Sequence, residues 1–99
     1  MSKRPRGPLD GVRVLDLSRI LAGPFCTMRL GDLGADVLLV EPPPEIAARS
    51  GHAAESDAIP ARDALRRNKR SIVLNLKDPE AREIVDGLVR QSDVLVEGF

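Results

Sequence analysis

Apolar residues in this chain come in short runs separated by breakers, and the runs switch between strand-like and helix-like spacing. Val12-Arg13-Val14-Leu15-Asp16-Leu17, bounded by Gly11 and Ser18, predicts a first strand. Ala22-Gly23-Pro24 marks a helix start, because proline lacks an N–H that the first helical turn would leave unpaired anyway. Phe25, Met28, Leu30 and Leu33 predict an apolar stripe on that helix, and Gly34 is placed to end it as a left-handed cap. Val37-Leu38-Leu39-Val40 is unbroken aliphatic sequence, the pattern of a central parallel strand covered on both faces, and Pro42-Pro43-Pro44 ends it.

From Glu45 to Arg67 the periodicity is weak and the composition rich in alanine, serine and charge. This stretch reads as a long loop with a short helix around Ala61 to Arg66, and loops of that length are usually functional or mobile. Ser71-Ile72-Val73-Leu74-Asn75-Leu76 predicts a third strand with Ile72, Leu74 and Leu76 on one face. Asp78-Pro79-Glu80 is a strong helix start, with Asp78 as N-cap, Pro79 in the first turn and Glu80 near the positive end of the helix dipole. Ala81, Ile84, Val85, Leu88 and Val89 follow the spacing of one buried helix face, with Asp86 and Arg90 one turn apart on the surface. Val94-Leu95-Val96 is the final strand.

The order is β-α-β, a long loop, then β-α-β, which predicts an α/β fold with a mostly parallel sheet. A strand as apolar as the last one needs cover on both faces, and the segment ending at Phe99 does not supply it. The expectation is therefore that residues 1–99 are the opening, incomplete part of a larger domain, with 1–7 flexible and 45–67 as the long loop.

Composition narrows the function classes. The 99 residues carry 15 basic and 15 acidic side chains, so no global field draws nucleic acid or an anionic membrane, and a bound anion must be held locally. Aromatics make up 2%, which leaves an aliphatic core. The single Cys26 forms no internal disulfide, and no Cys/His spacing suggests a metal. No run approaches the roughly 18 apolar residues of a membrane span, and the basic start lacks the apolar segment of a signal peptide. A reducing, cytoplasmic setting is the expectation.

Candidate chemistry gathers at strand ends. Ser18 to Pro24 lies where open α/β sheets bind ligands, although it matches neither GxGxxG nor a P-loop. Small residues there let a ligand approach the backbone. Lys77, between a strand end and a helix start, reads either as a surface lysine or, with the backbone N–H groups opening the next helix, as a holder of an anionic group. Arg66-Arg67-Asn68-Lys69-Arg70 reads either as a solvated cluster or as a phosphate patch. Cys26 reads as a buried, inert thiol. Asp16 and Glu41 are acid/base candidates or simple backbone caps, and His52 reads as solvent-exposed with no assigned role.

Several motifs together resemble the class III CoA-transferase family, which includes formyl-CoA and carnitine-type CoA-transferases and α-methylacyl-CoA racemases. They are Pro8 to Ser18, Leu21-Ala22-Gly23-Pro24, Leu33-Gly34-Ala35-Asp36-Val37, Asn68-Lys69-Arg70-Ser71-Ile72 and Leu76-Lys77-Asp78-Pro79-Glu80. The resemblance runs from Pro8 to Phe99. It implies a Rossmann-like CoA-binding domain, a second smaller domain, and an interlocked homodimer. It implies that CoA lies near Leu21 and Ala22, touches Leu74, Asn75 and Lys77, and reaches the strand end at Gly98 and Phe99.

Two positions depart from the family pattern: Pro42 stands where many members have a nucleotide-contacting arginine, for which Arg66, Arg67 or Arg70 are substitutes, and Gly98 stands where asparagine is frequent. The resemblance implies acyl-CoA and carboxylic acid substrates, no cofactor beyond CoA itself, no metal, and neither nucleic acid nor membrane as partner. It places the catalytic aspartate of the transferases, or the His/Asp pair of the racemases, beyond Phe99. The expected activity is movement of CoA between carboxylic acids, with a racemase and a truncated, non-catalytic CoA-binding module as alternatives. Asn68 ahead of Lys69-Arg70-Ser71 and the length between Pro44 and Asn68 favour the transferase.

Overall fold

The structure, a computed structural model, describes residues 7–19, 21–49 and 64–98. Among these residues four strands and three helices follow in the order β1 (Arg13–Asp16), α1 (Ala22–Asp32), β2 (Asp36–Glu41), α2 (Pro44–Arg49), β3 (Lys69–Val73), α3 (Pro79–Arg90) and β4 (Val94–Val96). The strands form a single parallel sheet in the order β3-β2-β1-β4. The α/β reading with a parallel sheet and flanking helices therefore holds. The chain steps outward from β1 to β3 and then returns to β4, so right-handed crossovers place α1 and α3 on opposite faces.

Register sorts the side chains. Val14 pairs with Val37 and Val94, and Val37 with Lys69, so these residues share one face of the sheet. The core on that face is Val14, Ala35 and Val37, with Leu9, Val12, Leu30 and Val96 packed against it. Leu15 and Val40, on the other face, are buried as well. The two central strands are thus covered on both sides, as unbroken aliphatic runs require.

Turn chemistry behaves as the sequence predicts at two helix ends. Gly34 has φ 106°, and its N–H donates to Gly31 O at 3.0 Å, closing α1. Asp78 accepts from the Glu80 N–H at 3.0 Å and caps α3.

Four expectations need correction. Within the stretch read as loop, Pro44–Arg49 is helical: the triple proline ends β2 and also opens α2, with Pro43 O accepting from Ile46 and Ala47 and Glu45 in the first turn. The third strand begins two residues earlier than its aliphatic run and stops at Val73, because Lys69 and Arg70 pair with Val37 and Leu38 while Leu74 to Leu76 turn away. The buried face of α1 is Thr27, Met28 and Gly31: of the predicted stripe Met28 is buried and Leu30 packs against the core, while Phe25 and Leu33 are exposed. Cys26, on the far side of the helix from that face, is exposed.

The spacing on α3 is helical as predicted, yet among its residues only Ala81 is buried, and Ile84 and Val89 are exposed. Val94 and Leu95 are exposed too, so the cover that β4 calls for is not provided by the described residues. The short helix predicted around residues 61–66 falls largely outside those residues, as does His52.

Candidate functional site

The carboxyl ends of β1, β2 and β3 open onto a cleft of about 210 Å³. Its walls are aliphatic, from Leu17, Val40, Pro42, Ile46, Leu74 and Leu76, and its polar groups are Arg19, Glu41, Asn75 and Lys77. Parallel sheets bind ligands at this edge because the strand ends and the following helix starts leave backbone groups pointing outward. Pro42 and Ile46 of α2 shape one wall, so the segment the sequence left as loop contributes to the site.

Asn75 organises the cleft's basic corner. Its Oδ1 accepts from the Lys77 N–H at 3.1 Å and its carbonyl accepts from the Asp78 N–H at 2.9 Å. That turn sets Lys77 directly ahead of α3 and leaves its side chain exposed. Among the described residues no acceptor engages the Lys77 ammonium. An exposed ammonium beside an aliphatic cleft suits a ligand with an anionic group and an apolar or aromatic body.

The predicted residues divide into three groups. Leu74, Asn75 and Lys77 line the cleft. Leu21 and Ala22 lie just past Arg19, on the exposed first turn of α1 and not in the cleft lining, with Leu21 60% exposed. The start of α1 has no side-chain cap and no acidic residue in its first turn. Gly98 is exposed beyond β4, at the same end of the sheet, since Leu17 N donates to Val96 O at 2.8 Å. Phe99 lies outside the described residues.

The basic run turns out to be occupied internally. Arg66 pairs with Glu41 at 2.7 Å, Arg67 forms a two-bond fork on Asp32 at 3.0 and 2.6 Å, and Arg70 does the same on Asp36 at 3.1 and 2.9 Å. Arg67 holds the Asp32 carboxyl below its ordinary range, chiefly through that hydrogen bond and, more weakly, through its charge and the Asn68 amide. Asn68 reaches Asp32 from a left-handed backbone with φ 60°, a conformation asparagine tolerates better than most residues. Arg66, Arg67 and Arg70 are each at least half exposed as well as paired, so this part of the run is a solvated cluster, whereas Lys69 is buried. Arg66 alone borders the cleft, through Glu41.

Sequence reasoning missed the buried polar centre beside the site. Asp16 is completely buried, and its carboxylate accepts from the Ser18 N–H at 2.8 Å, from Ser18 Oγ, from Thr27 Oγ1 at 2.5 Å and from Lys69 Nζ at 3.2 Å. The Lys69 side chain is 2% exposed and also donates to Pro24 O at 3.1 Å. Asp16 thus accepts from four donors, one of them the backbone N–H of Ser18 that it caps. Gly23 sits so close to Ser18 that a Cβ there would stand 2.5 Å from Ser18 Oγ and nearer still to its Cβ. The small residue at this junction serves packing inside the protein.

Residues 9–99 match CoA-transferase family III. The chain belongs to that family. The mouse (Mus musculus) succinyl-CoA:glutarate CoA-transferase is 46% identical over 99 residues, covering 93% of this chain and 22% of that protein. The succinyl-CoA:mesaconate CoA-transferase of Haloarcula marismortui is 46% identical over 98 residues, covering 94% of this chain and 25% of that protein. Among solved structures, a CAIB/BAIF family protein from Brucella suis superposes with a TM-score of 0.77 at 36% identity, over 95% of this chain and 26% of that one. The chain therefore spans about a quarter of the relatives it matches. Membership explains why the motifs from Pro8 onward occur together. Among the described residues, no helix is long and apolar enough to cross a membrane.

Proposed function

We propose that this segment of a family III member is the CoA-binding part of an enzyme that moves CoA between carboxylic acids. The observation that carries the reading is the cleft at the strand ends, with aliphatic walls and, at its edge, the Lys77 ammonium, which no acceptor among the described residues engages. At about 210 Å³ the cleft is smaller than the ~300–1,000 Å³ typical of sites that enclose a whole ligand, so it takes part of CoA. The remainder lies over the exposed Leu21 and Ala22 and toward Gly98 and Phe99. In this reading Asn75 shapes the turn and Lys77 pairs with a phosphate.

The similarity to named CoA-transferases favours transfer over racemisation as the activity of the whole enzyme. No residue of the segment is assigned as nucleophile or base, and the acyl and carboxylate substrates are chosen elsewhere in the enzyme. We further propose that residues 1–99 are the N-terminal part of its large domain, that CoA is its sole coenzyme, that it acts in the cytoplasm, and that it works as an interlocked homodimer.

Calorimetric titration with CoA tests the site. An exposed lysine–phosphate pair is worth about 1 kcal/mol, so Lys77→Ala should weaken binding roughly fivefold. Equal affinity in wild type and Lys77→Ala rejects the assignment of Lys77, and absence of CoA binding by folded wild type rejects the site as a whole.

A further inference from the structure

We propose that Asp16, Thr27 and Lys69 act as a buried clamp that positions the junction from Ser18 to Pro24, and that this clamp sets how well the proposed CoA site is formed. The inference rests on the CoA reading for its effect on affinity, but not for the positioning itself.

The junction leaves β1 at Asp16 and enters α1 at Ala22. At its beginning, both the N–H and the hydroxyl of Ser18 donate to Asp16 Oδ1. At its end, Lys69 donates to Pro24 O and Thr27 donates to Asp16 Oδ2. One carboxylate at the end of β1 and one ammonium from β3, two strands away in the sheet, thereby tie the outgoing strand to the incoming helix. Gly23 packs against Ser18 and leaves the loop little room to shift.

Burying this pair gains little net stability, because desolvating two charges offsets most of their attraction. Fixing one geometry is the better-attested use of such a pair. The residues between the two anchors include Arg19, which lines the cleft, and Leu21 and Ala22, at the uncapped start of α1. None of the three clamp residues lines the cleft. They are positioning residues, acting through the junction.

The test is the double variant Asp16→Asn/Lys69→Met in the purified protein. It removes both charges together, so no unpaired charge is left inside, while the amide oxygen that replaces the carboxylate still accepts from Ser18. Two measurements are made on it: amide hydrogen exchange residue by residue, and calorimetric titration with CoA. The expected result is at least a tenfold rise in exchange at Ser18 and Phe25, unchanged exchange in β2 and α3, and a CoA affinity lowered at least fivefold.

Exchange that rises everywhere in step would show a structural role only and overturn the proposal. So would a junction as protected as in wild type, or a loosened junction with unchanged affinity. If wild type itself binds no CoA, the proposed function fails, and the exchange data still judge the clamp. Should the double variant not fold, Thr27→Val takes its place, since it removes one donor and keeps the charge pair. A severalfold rise in exchange confined to the junction is expected there, and no rise overturns the proposal.

Discussion

Substituting Gly23 by alanine tests the packing at the first βα junction directly. The added Cβ would lie 2.5 Å from Ser18 Oγ and closer to Ser18 Cβ, so one of the two residues must move. Ser18 is not a flexible side chain that can swing aside, because its hydroxyl and N–H are both bound to the buried Asp16. Relieving the overlap therefore breaks at least one bond to an ionised group, worth about 1.5–3 kcal/mol. Overpacking adds about 1–3 kcal/mol, while the better helix propensity of alanine returns up to about 1 kcal/mol.

The net expected loss is about 2–5 kcal/mol, within the range those magnitudes allow. For a domain of this size each 1 kcal/mol corresponds to roughly 4–8 °C in melting temperature, so the drop should exceed about 8 °C. Differential scanning calorimetry of Gly23→Ala reads it, with Gly87→Ala in α3 as control, because a Cβ at Gly87 meets nothing within 4 Å. Adding Ser18→Gly removes the obstructing Cβ and should make the double variant less destabilised than the sum of the singles. A Gly23→Ala protein that melts with wild type refutes the close approach, and additive singles refute Ser18 as its cause.

The control carries its own expectation: Gly87→Ala should stabilise α3 by up to about 1 kcal/mol, seen as a small rise in melting temperature. Asp78→Ala removes the cap on Glu80 N and should lower stability by about 1 kcal/mol in urea titration, with Asp78→Asn largely restoring it. The Arg67–Asp32 pair predicts a pH dependence. Because the folded Asp32 carboxyl is held below its unfolded value of about 3.9, its contribution is whole above that value and disappears as pH falls through the lowered one. Arg67→Ala should thus differ from wild type in thermal melts at neutral pH and low salt and converge with it in acid, and a difference that does not shrink as the pH falls below about 3.9 would contradict the pairing.

Much of the local architecture was legible because it is encoded locally. The aliphatic runs of β1, β2 and β4, the Asp78-Pro79 start of α3 and Gly34 as the end of α1 depend on neighbours within a few residues, and each appears where its pattern predicts. Periodicity was less informative on α1, where the buried positions are Thr27, Met28 and Gly31. Thr27 is inside because Asp16 needs a donor, and Gly31 because Asn68 packs 3.3 Å from where its Cβ would be. Neither reason is visible in a hydrophobic pattern. The strand-end ligand position was legible at Leu74, Asn75 and Lys77, but the wall contributed by α2 was not, since three prolines read as a stop and not also as a start.

The alternation of strand and helix, the parallel α/β class and, through its ordered motifs, the family are readable from the order of residues. Those depend on spacing, capping and turn residues, all read along the chain. Tertiary structure alone decided which charges are solvent-facing and which are structural. Lys69 and Arg70 are adjacent members of one basic run, yet the first is buried against Asp16, 53 residues away, while the second stays exposed on Asp36. The pleat sends neighbouring side chains to opposite faces, and the register of β3 against β2 chooses which face lies under α1.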